Sequence, residues 1–324
     1  MIMPQTLDHA HTNASADAAV LPATGAGKRA LITGLHGFTG RYLAQELTAA
    51  GYQVFGTAHE AHEVQDGQEP NVFAVDMTDR AGMAAMVEVV QPEVVVHLAA
   101  IAFVAHADVE AMYRVNIVGT RNLLEALADL KTPPRAVLLA SSANIYGNAT
   151  VDPIDELTPL APANDYAVSK LAMEYMARLW FDRLPLTIVR PFNYTGVGQS
   201  ESFLLPKIVA HFRRSAREIE LGNLDVARDF SDVRVVAATY RRLLDVAPAG
   251  QTFNVCSGVA HSLFEVLELV SRMAGHTMDV KVNPAFARAN EVRRLVGANA
   301  KLIAAIGVLP AIPLADTLRW MLRA

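Results

Sequence analysis

RALITGLHGFTG, from Arg29 to Gly40, decides the fold. Arg29 to Thr33 is an apolar run of strand length, bounded by Gly34. Gly37 and Gly40 follow, and a helical pattern carrying Leu43 and Leu47 stops at Gly51, a good C-terminal signal. A glycine pattern that follows a strand and opens a helix has the context of a dinucleotide site. Its glycines permit a tight turn and let the backbone approach a pyrophosphate, which then sits at the positive helix end. The competing reading is a structural turn without a ligand.

Further along, a carboxylate that would grip the ribose 2'-hydroxyl is missing. The second strand ends in Thr57, Ala58 and His59, with Glu60 beyond. Its absence removes repulsion against a 2'-phosphate, so NADP(H) is favoured and NAD(H) stays possible, although the arginine that would favour the phosphate is absent too. Asp76, after the third strand, is placed to accept from the adenine amine; alternatively it caps the helix that begins near Asp79.

Outward from this stretch, strands are predicted at Gln53 to Thr57, Val72 to Val75, Val94 to Ala99, Ala136 to Ser141 and Leu186 to Arg190. Helices at Ala81 to Val90, Val109 to Leu130 and Tyr166 to Phe181 alternate with them. That alternation implies parallel pairing with right-handed crossovers and ligands at the carboxyl ends of the strands.

After Pro191 the rhythm loosens. A Gly-rich loop (Asn193 to Ser202), a helix (Leu204 to Ser215) and an irregular polar segment (Glu218 to Phe230) are predicted there. Then come a helix over Asp232 to Asp245, a strand over Thr252 to Val255, and two amphipathic helices beyond Ser262. The fold class is α/β, a doubly wound parallel Rossmann-type sheet with a smaller C-terminal substrate-binding lobe. Residues 1–28 form a disordered tail, 29–191 plus about 230–256 the dinucleotide-binding domain, and 192–229 with 257–324 the lobe.

Bulk properties narrow the function. A chain of 324 residues, 52% hydrophobic and 19% charged, buries a real core. A net charge of -5 without a dense Lys or Arg run argues against nucleic acid. The single cysteine, Cys256, allows no internal disulfide and reads as a small buried residue in a strand, which fits a reducing compartment. Met1 to Gly27 has almost no large apolar residues and reads as disordered rather than as a secretory signal; His9 and His11 within it read as solvated. Val94 to Ala105 is broken by His97 and too short to span a bilayer. A soluble, cytoplasmic protein is expected.

Tyr166 and Lys170 are one helical turn apart and share a face, and Ser142 ends a strand about two dozen residues earlier. A free phenol, with a pKa of ~10, is a sluggish acid or base at neutral pH. A nearby ammonium favours the phenolate and brings it toward the working range. A serine hydroxyl can bond the same carbonyl oxygen. A Tyr and Lys at this spacing are by themselves usually a solvated face plus a core contact, but a glycine turn and a strand ending in SSANIYG precede this pair. The combination points to hydride exchange between a nicotinamide cofactor and a carbonyl.

GLHGFTG (Gly34 to Gly40), HLAA (His97 to Ala100), NIVGT (Asn116 to Thr120), SSANIYG (Ser141 to Gly147) and YAVSK (Tyr166 to Lys170) resemble the extended short-chain dehydrogenase/reductase family, whose members act on nucleotide-linked sugars. RPFNYTGVGQ from Arg190, GNLDVARDFSDVR from Gly222 and FNVCSG from Phe253 resemble its branch for GDP-mannose derivatives. The resemblance spans Arg29 to the C-terminus. It implies a catalytic set of Ser142, Tyr166 and Lys170. It implies cofactor contacts from Gly34, Gly37, Phe38, Thr39, Gly40, Asp76, Met77, Leu98, Ala99, Ala100 and Pro191, as well as from Tyr166 and Lys170. It also implies substrate contacts from Ser142, Asn193, Arg228 and Arg288, and no metal. For each arginine the alternative is a surface salt bridge. Asn116 is expected to brace backbone beneath the site.

Within that branch, the dehydratases carry an acid one or two positions after the catalytic Ser or Thr. Here those positions are Ala143 and Asn144, which cannot shuttle a proton. The resemblance therefore implies reduction of the C4 ketone of GDP-4-keto-6-deoxy-D-mannose, for surface polysaccharide synthesis, rather than elimination. A 4-epimerase that retains NAD is the other enzyme reading, and a cofactor-sensing protein the non-enzyme one. The helices predicted at Val109 to Leu130 and Tyr166 to Phe181 resemble the pair that forms a four-helix homodimer interface, the alternative being burial against the sheet.

Overall fold

The computed structural model describes residues 24–59, 69–102, 108–284, 293–308 and 310–324. Strands and helices are numbered along the chain. Strands β1 (Arg29–Thr33), β2 (Gln53–Ala58), β3 (Val72–Ala74), β4 (Val94–His97), β5 (Ala136–Ala140) and β6 (Leu186–Pro191) join a late strand, β10 (Gln251–Val255), in one sheet. Its order is β10-β6-β5-β4-β1-β2-β3, and every neighbouring pair is parallel. The strand order reverses at β1, whose neighbours are β2 and β4, so the glycine turn lies at the switch point where such sheets bind ligands.

Both faces of this sheet are covered, which is why its strands read as unbroken apolar runs. Ala30, Ile32, Val94, Val96, Ala136 and Leu138 face helices α1 (Phe38–Ala49) and α7 (Val233–Val246). Leu31, Val95, Val137 and Leu139 alternate to the opposite face, against α2 (Arg80–Val90), α4 (Thr120–Ala128) and α5 (Asp165–Arg178). The helix predicted over 109–130 is not uniform. It begins as α3 (Val109–Tyr113), widens into a π-helical segment over Arg114–Gly119, and regains α geometry in α4.

The remaining elements build a second, separate core. The segment predicted to be irregular, 218–230, contains β8 (Glu218–Leu221) and most of β9 (Ala227–Asp232). Strand β9 pairs with β7 (Asn193–Thr195), β11 (Ala260–Ser262) and β13 (Arg294–Leu295), three partners from three distant segments, while β8 pairs with β12 (Asp279–Val282). Around these strands α6 (Leu204–Arg213), α8 (Leu263–Ala274) and α10 (Leu314–Arg323) bury Leu205, Phe212, Val266 and Leu318. A third helix beyond Ser262, the short α9 (Ala300–Ile306), packs against the first core through Leu302 and Ile306.

Residues 1–23 of the predicted tail, with His9 and His11, lie outside the described residues. Residues 24–28 are tied down: Thr24 donates to Asp245 at 2.7 Å and the Gly25 N–H to the Ala50 carbonyl at 3.0 Å. Cys256 is buried, and that burial pushes its thiol pKa up. Among the described residues no helix is long and apolar enough to cross a membrane.

Candidate active site

At the carboxyl edge of the sheet, the turn after β1 is shaped by backbone contacts that exclude side chains. Gly34 has φ +72°, and a Cβ there would sit 3.1 Å from the Ala99 backbone. A Cβ on Gly40 would lie 2.4 Å from the carbonyl oxygens of both Gly34 and Leu35. Gly37 caps α1 without a side-chain hydrogen bond, and the first turn of that helix holds no acid. The opening N–H groups of α1 and its positive dipole end therefore have no competing carboxylate, so these residues fit a pyrophosphate.

Leu98, Ala99 and Ala100 are half-buried beside this turn at the end of β4, and Pro191 is half-buried at the end of β6. Met77 is buried beneath the glycine of the π segment; a Cβ on Gly119 would come within 2.7 Å of its side chain. Asp76 is exposed and does not cap α2, a role that Asp79 takes by accepting from the Ala81 N–H. Its carboxylate accepts from the Thr78 N–H at 2.8 Å and hydroxyl at 2.9 Å, and the first of these bonds chiefly holds its pKa below the ordinary value.

A chain of buried hydrogen bonds runs beneath these groups. The Thr120 hydroxyl donates to the Asn116 carbonyl at 2.7 Å, so it accepts from Nε2–H of His97 at 2.8 Å. Nδ1 of His97 is then the acceptor for the Thr33 hydroxyl at 2.7 Å, leaving the Thr33 oxygen to accept from the Leu98 and Ala99 N–H groups at 3.2 and 3.1 Å. The chain requires a neutral imidazole. Burial, and secondarily the Lys170 ammonium, lowers the His97 pKa to about 3. The Asn116 side chain braces backbone as expected: it accepts from the Ile101 N–H and donates to the Ile101 carbonyl and to Ser169 of α5.

Ser142 and Tyr166 come together, and Lys170 reaches the same strand end at Ala140. Asn164 caps α5 by accepting from the Ala167 N–H at 2.9 Å, which places Tyr166 in the first helical turn. Ser142 accepts from the Asn144 N–H at 3.1 Å at the start of a 3-10 turn (Ala143–Tyr146) and hydrogen-bonds the Tyr166 phenol. Lys170, 4% exposed, donates from Nζ to the Ala140 carbonyl at 2.8 Å.

The electrostatics differ from the sequence expectation. Burial raises the Tyr166 pKa, the neighbouring Tyr194 adds to the rise, and only the Ser142 hydrogen bond opposes it. The Lys170 ammonium is engaged at Ala140 and is not among the groups that shift the phenol. Burial lowers the Lys170 pKa to about 8, partly offset by Glu174 one turn later. Arg190 takes both Glu174 oxygens, at 3.0 and 2.7 Å, and donates to the Tyr146 hydroxyl at 2.9 Å. That buried network anchors α5 to β6 and gave no sign of itself in the sequence.

The expected substrate residues meet only in part. Asn193 on β7 is exposed and donates to the Asp229 carbonyl at 3.3 Å; on the adjacent β9, Arg228 donates to the carbonyls of Ala227 at 2.9 Å and Arg293 at 3.4 Å. Arg288 lies outside the described residues. Between Asn193 and the glycine turn stands a residue that the sequence reading passed over. The Tyr194 hydroxyl is 2.8 Å from Oγ1 of Thr39, and its ring stacks on Phe38 with centroids 6.0 Å apart. The only earlier signal for it was its place beside Asn193 in RPFNY.

Residues 31–321 match the family model described as GDP-mannose 4,6 dehydratase. The chain is 34% identical over 307 residues to GDP-6-deoxy-D-mannose reductase of Pseudomonas aeruginosa, covering 91% of this chain and 96% of the relative. It is 33% identical over 280 residues to GDP-6-deoxy-D-talose 4-dehydrogenase of Aggregatibacter actinomycetemcomitans, covering 86% and 90%. Among solved structures, RMD of P. aeruginosa complexed with NADPH superposes with a TM-score of 0.81 at 32% identity, covering 91% of this chain and 98% of that one. A Burkholderia cenocepacia J2315 chain, provisionally described as an epimerase, superposes with a TM-score of 0.87 at 56% identity, covering 92% and 98%. The chain thus belongs to the GDP-mannose 4,6-dehydratase family of extended short-chain dehydrogenase/reductases, whose members are NAD(P)-dependent enzymes acting on nucleotide sugars.

Proposed function

We propose that this enzyme reduces the C4 ketone of GDP-4-keto-6-deoxy-D-mannose to GDP-D-rhamnose or its C4 epimer, using NADPH in preference to NADH. One observation carries the choice of reduction over elimination. The two residues after Ser142 are a buried alanine, Ala143, and Asn144, whose N–H is spent on the Ser142 oxygen. Two carboxylates of the adjoining network are occupied as well, Glu174 by Arg190 and Glu156 by the Asn254 N–H at 2.7 Å. Neither position after Ser142 supplies a general acid or base to remove water across C5 and C6.

The glycine turn and the open end of α1 would hold the dinucleotide, with Asp76 at the adenine and Met77, Leu98, Ala99, Ala100 and Pro191 along its length. When bound, the reduced nicotinamide supplies the hydride. Ser142 orients the substrate carbonyl, and Tyr166 delivers the proton. A phenol whose pKa is raised keeps that proton at neutral pH, and the alkoxide developing at C4 is a stronger base than any phenolate, so the transfer runs downhill. Lys170, charged below about pH 8, would anchor the nicotinamide ribose, and the Ser142 hydroxyl would donate to the phenolate left behind. Residues 192–229 and 257–324 act as the substrate lobe, in which Asn193, Arg228 and Arg288 contact the sugar and diphosphate; guanidinium forks suit phosphate oxygens.

Incubation with GDP-4-keto-6-deoxy-D-mannose and NADPH should consume NADPH, and NMR of the product gives the C4 configuration. Absence of NADPH consumption removes the proposal. The likeness to the B. cenocepacia chain favours a second reading, nucleotide-sugar 4-epimerisation. That reading requires a protein that purifies with a full equivalent of NAD and turns over without added reductant.

The outward faces of the π segment and α5 expose Val118, Val168, Tyr175 and Leu179, the last at 81%. This apolar strip supports a homodimer through a four-helix bundle, in which Tyr175→Glu with Leu179→Glu should yield monomers by light scattering. The single buried cysteine suits a reducing cytoplasm.

A further inference from the structure

Strand β7 is three residues long, and its alternation sends neighbouring side chains to opposite sides. Tyr194 points at the opening of α1, where its hydroxyl meets Thr39 at 2.8 Å and its ring lies nearly parallel to Phe38, at 11°. Asn193 and Thr195 point the other way: Asn193 donates to the Asp229 carbonyl and the Thr195 hydroxyl lies 3.6 Å from Sδ of Met321 in the second core. One short strand therefore touches the dinucleotide turn with one side chain and the second core with the two beside it.

We propose that Tyr194 is a positioning residue that couples the two ligand sites, so that an occupied dinucleotide turn tightens the binding of the nucleotide sugar. This inference rests on the proposed function above. Its physical basis is the direction of one hydrogen bond. With both partners neutral hydroxyls, either Thr39 or Tyr194 can donate. A phosphate oxygen at the open end of α1 would accept the hydrogen bond from the Thr39 hydroxyl, which has only one to give, because an anion is the better acceptor. Tyr194 must then donate to Thr39, and donors in series strengthen one another. The phenol is drawn toward the turn, β7 is held, and the exposed Asn193 amide keeps one position. Ordering cost met when the dinucleotide binds need not be met again for the sugar nucleotide.

Calorimetry on the full chain tests this with GDP as the probe, titrated with and without saturating NADP+. GDP should bind about three- to tenfold more tightly with NADP+ present, the range one hydrogen bond supports. Tyr194→Phe, which keeps the stacking ring, should bring that ratio to within about twofold of one at an unchanged melting temperature. Tyr42→Phe is the contrast. It removes another bond between α1 and the second core, from the Tyr42 hydroxyl to the Val197 carbonyl at 2.7 Å, but stands outside the turn and should keep the wild-type ratio.

A wild-type ratio in Tyr194→Phe, equal loss in Tyr42→Phe, or a ratio of one in the wild type overturns the proposal. If Tyr194→Phe fails to fold, Thr39→Val against Thr39→Ser gives the same reading, loss in the first and retention in the second. GDP that binds under neither condition overturns the proposed function along with the coupling, whereas GDP that binds with an unaltered ratio overturns the coupling alone.

Discussion

The half of the chain around β1 and the half around β9 each bury a core, by different means. Around β1 strands alternate with helices that cover the sheet, and β1 pairs with β2 directly across α1. Around β9, three partner strands arrive from residues 193–195, 260–262 and 294–295. The contrast extends to what holds each region in place. The glycine turn is fixed by close backbone contacts at Gly34 and Gly40. The β9 region is pinned by one buried carboxylate, Asp229, which accepts from the Ser257 N–H at 2.8 Å, the Ser257 hydroxyl at 2.7 Å and the Gly258 N–H at 2.8 Å. A locally determined region suits a cofactor common to many enzymes, and a region closed by distant contacts can be rebuilt around a particular substrate.

If the halves divide the work in this way, lesions should separate cleanly. Tyr166→Phe, on the β1 side, should lower NADPH-dependent reduction by about a thousandfold. NADP+ affinity should stay within about twofold of wild type, measured by fluorescence titration. A parallel loss of cofactor affinity would mean that Tyr166 acts in binding and not in proton transfer.

Acid should strike the β1 side next. His97 has a folded pKa of about 3 against an ordinary 6.5, so between those values the unfolded chain binds a proton that the folded chain refuses. Stability is full above pH 6.5 and falls as pH drops toward 3, at up to roughly 1.4 kcal/mol per pH unit. Urea unfolding at pH 7 and pH 4.5 should differ by about 2–3 kcal/mol more in the wild type than in His97→Gln. Equal acid limbs in the two proteins would remove His97 from the account.

Asp229→Asn places an amide N–H against donors in the β9 region and should cost about 1–3 kcal/mol. KM for the nucleotide sugar should rise while NADP+ affinity holds, as steady-state kinetics and titration would read. A change in NADP+ affinity of the same size would erase the boundary between the halves.

The smallest effect is expected at Gly198, in the loop after β7. Its φ is +84° and no atom lies within 4 Å of a built Cβ, so Gly198→Ala should cost only the backbone penalty of about 1 kcal/mol. A much larger fall in melting temperature would show that this loop is packed as tightly as the glycine turn.

The parallel sheet was legible because its strands are buried on both faces, and its first helix stops just before Gly51. The meeting of Ser142 and Tyr166 was also legible, because a strand end and the first turn of α5 bring them together. Strands β8 and β9 were not legible. Their residues alternate with charged ones, and their partners lie far along the chain. Nor was the π segment, in which the Asn116 carbonyl bonds the Thr120 hydroxyl and the Asn116 side chain braces Ile101. The rise in the Tyr166 pKa was missed because proximity in sequence to Lys170 says nothing of where the ammonium points; it turns to the Ala140 carbonyl.

By itself the sequence determined the alternation of strands and helices in the parallel sheet, the glycine turn and the shared helical face of Tyr166 and Lys170, since each follows from periodicity, steric limits or spacing along one element. Tertiary structure alone decided that Tyr194 stands against Thr39, that Arg190 holds Glu174 beneath Lys170, and that Asp229 gathers the second core. Those contacts join residues brought together only after the chain has closed on itself, when burial makes each unpaired donor costly and so selects its partner.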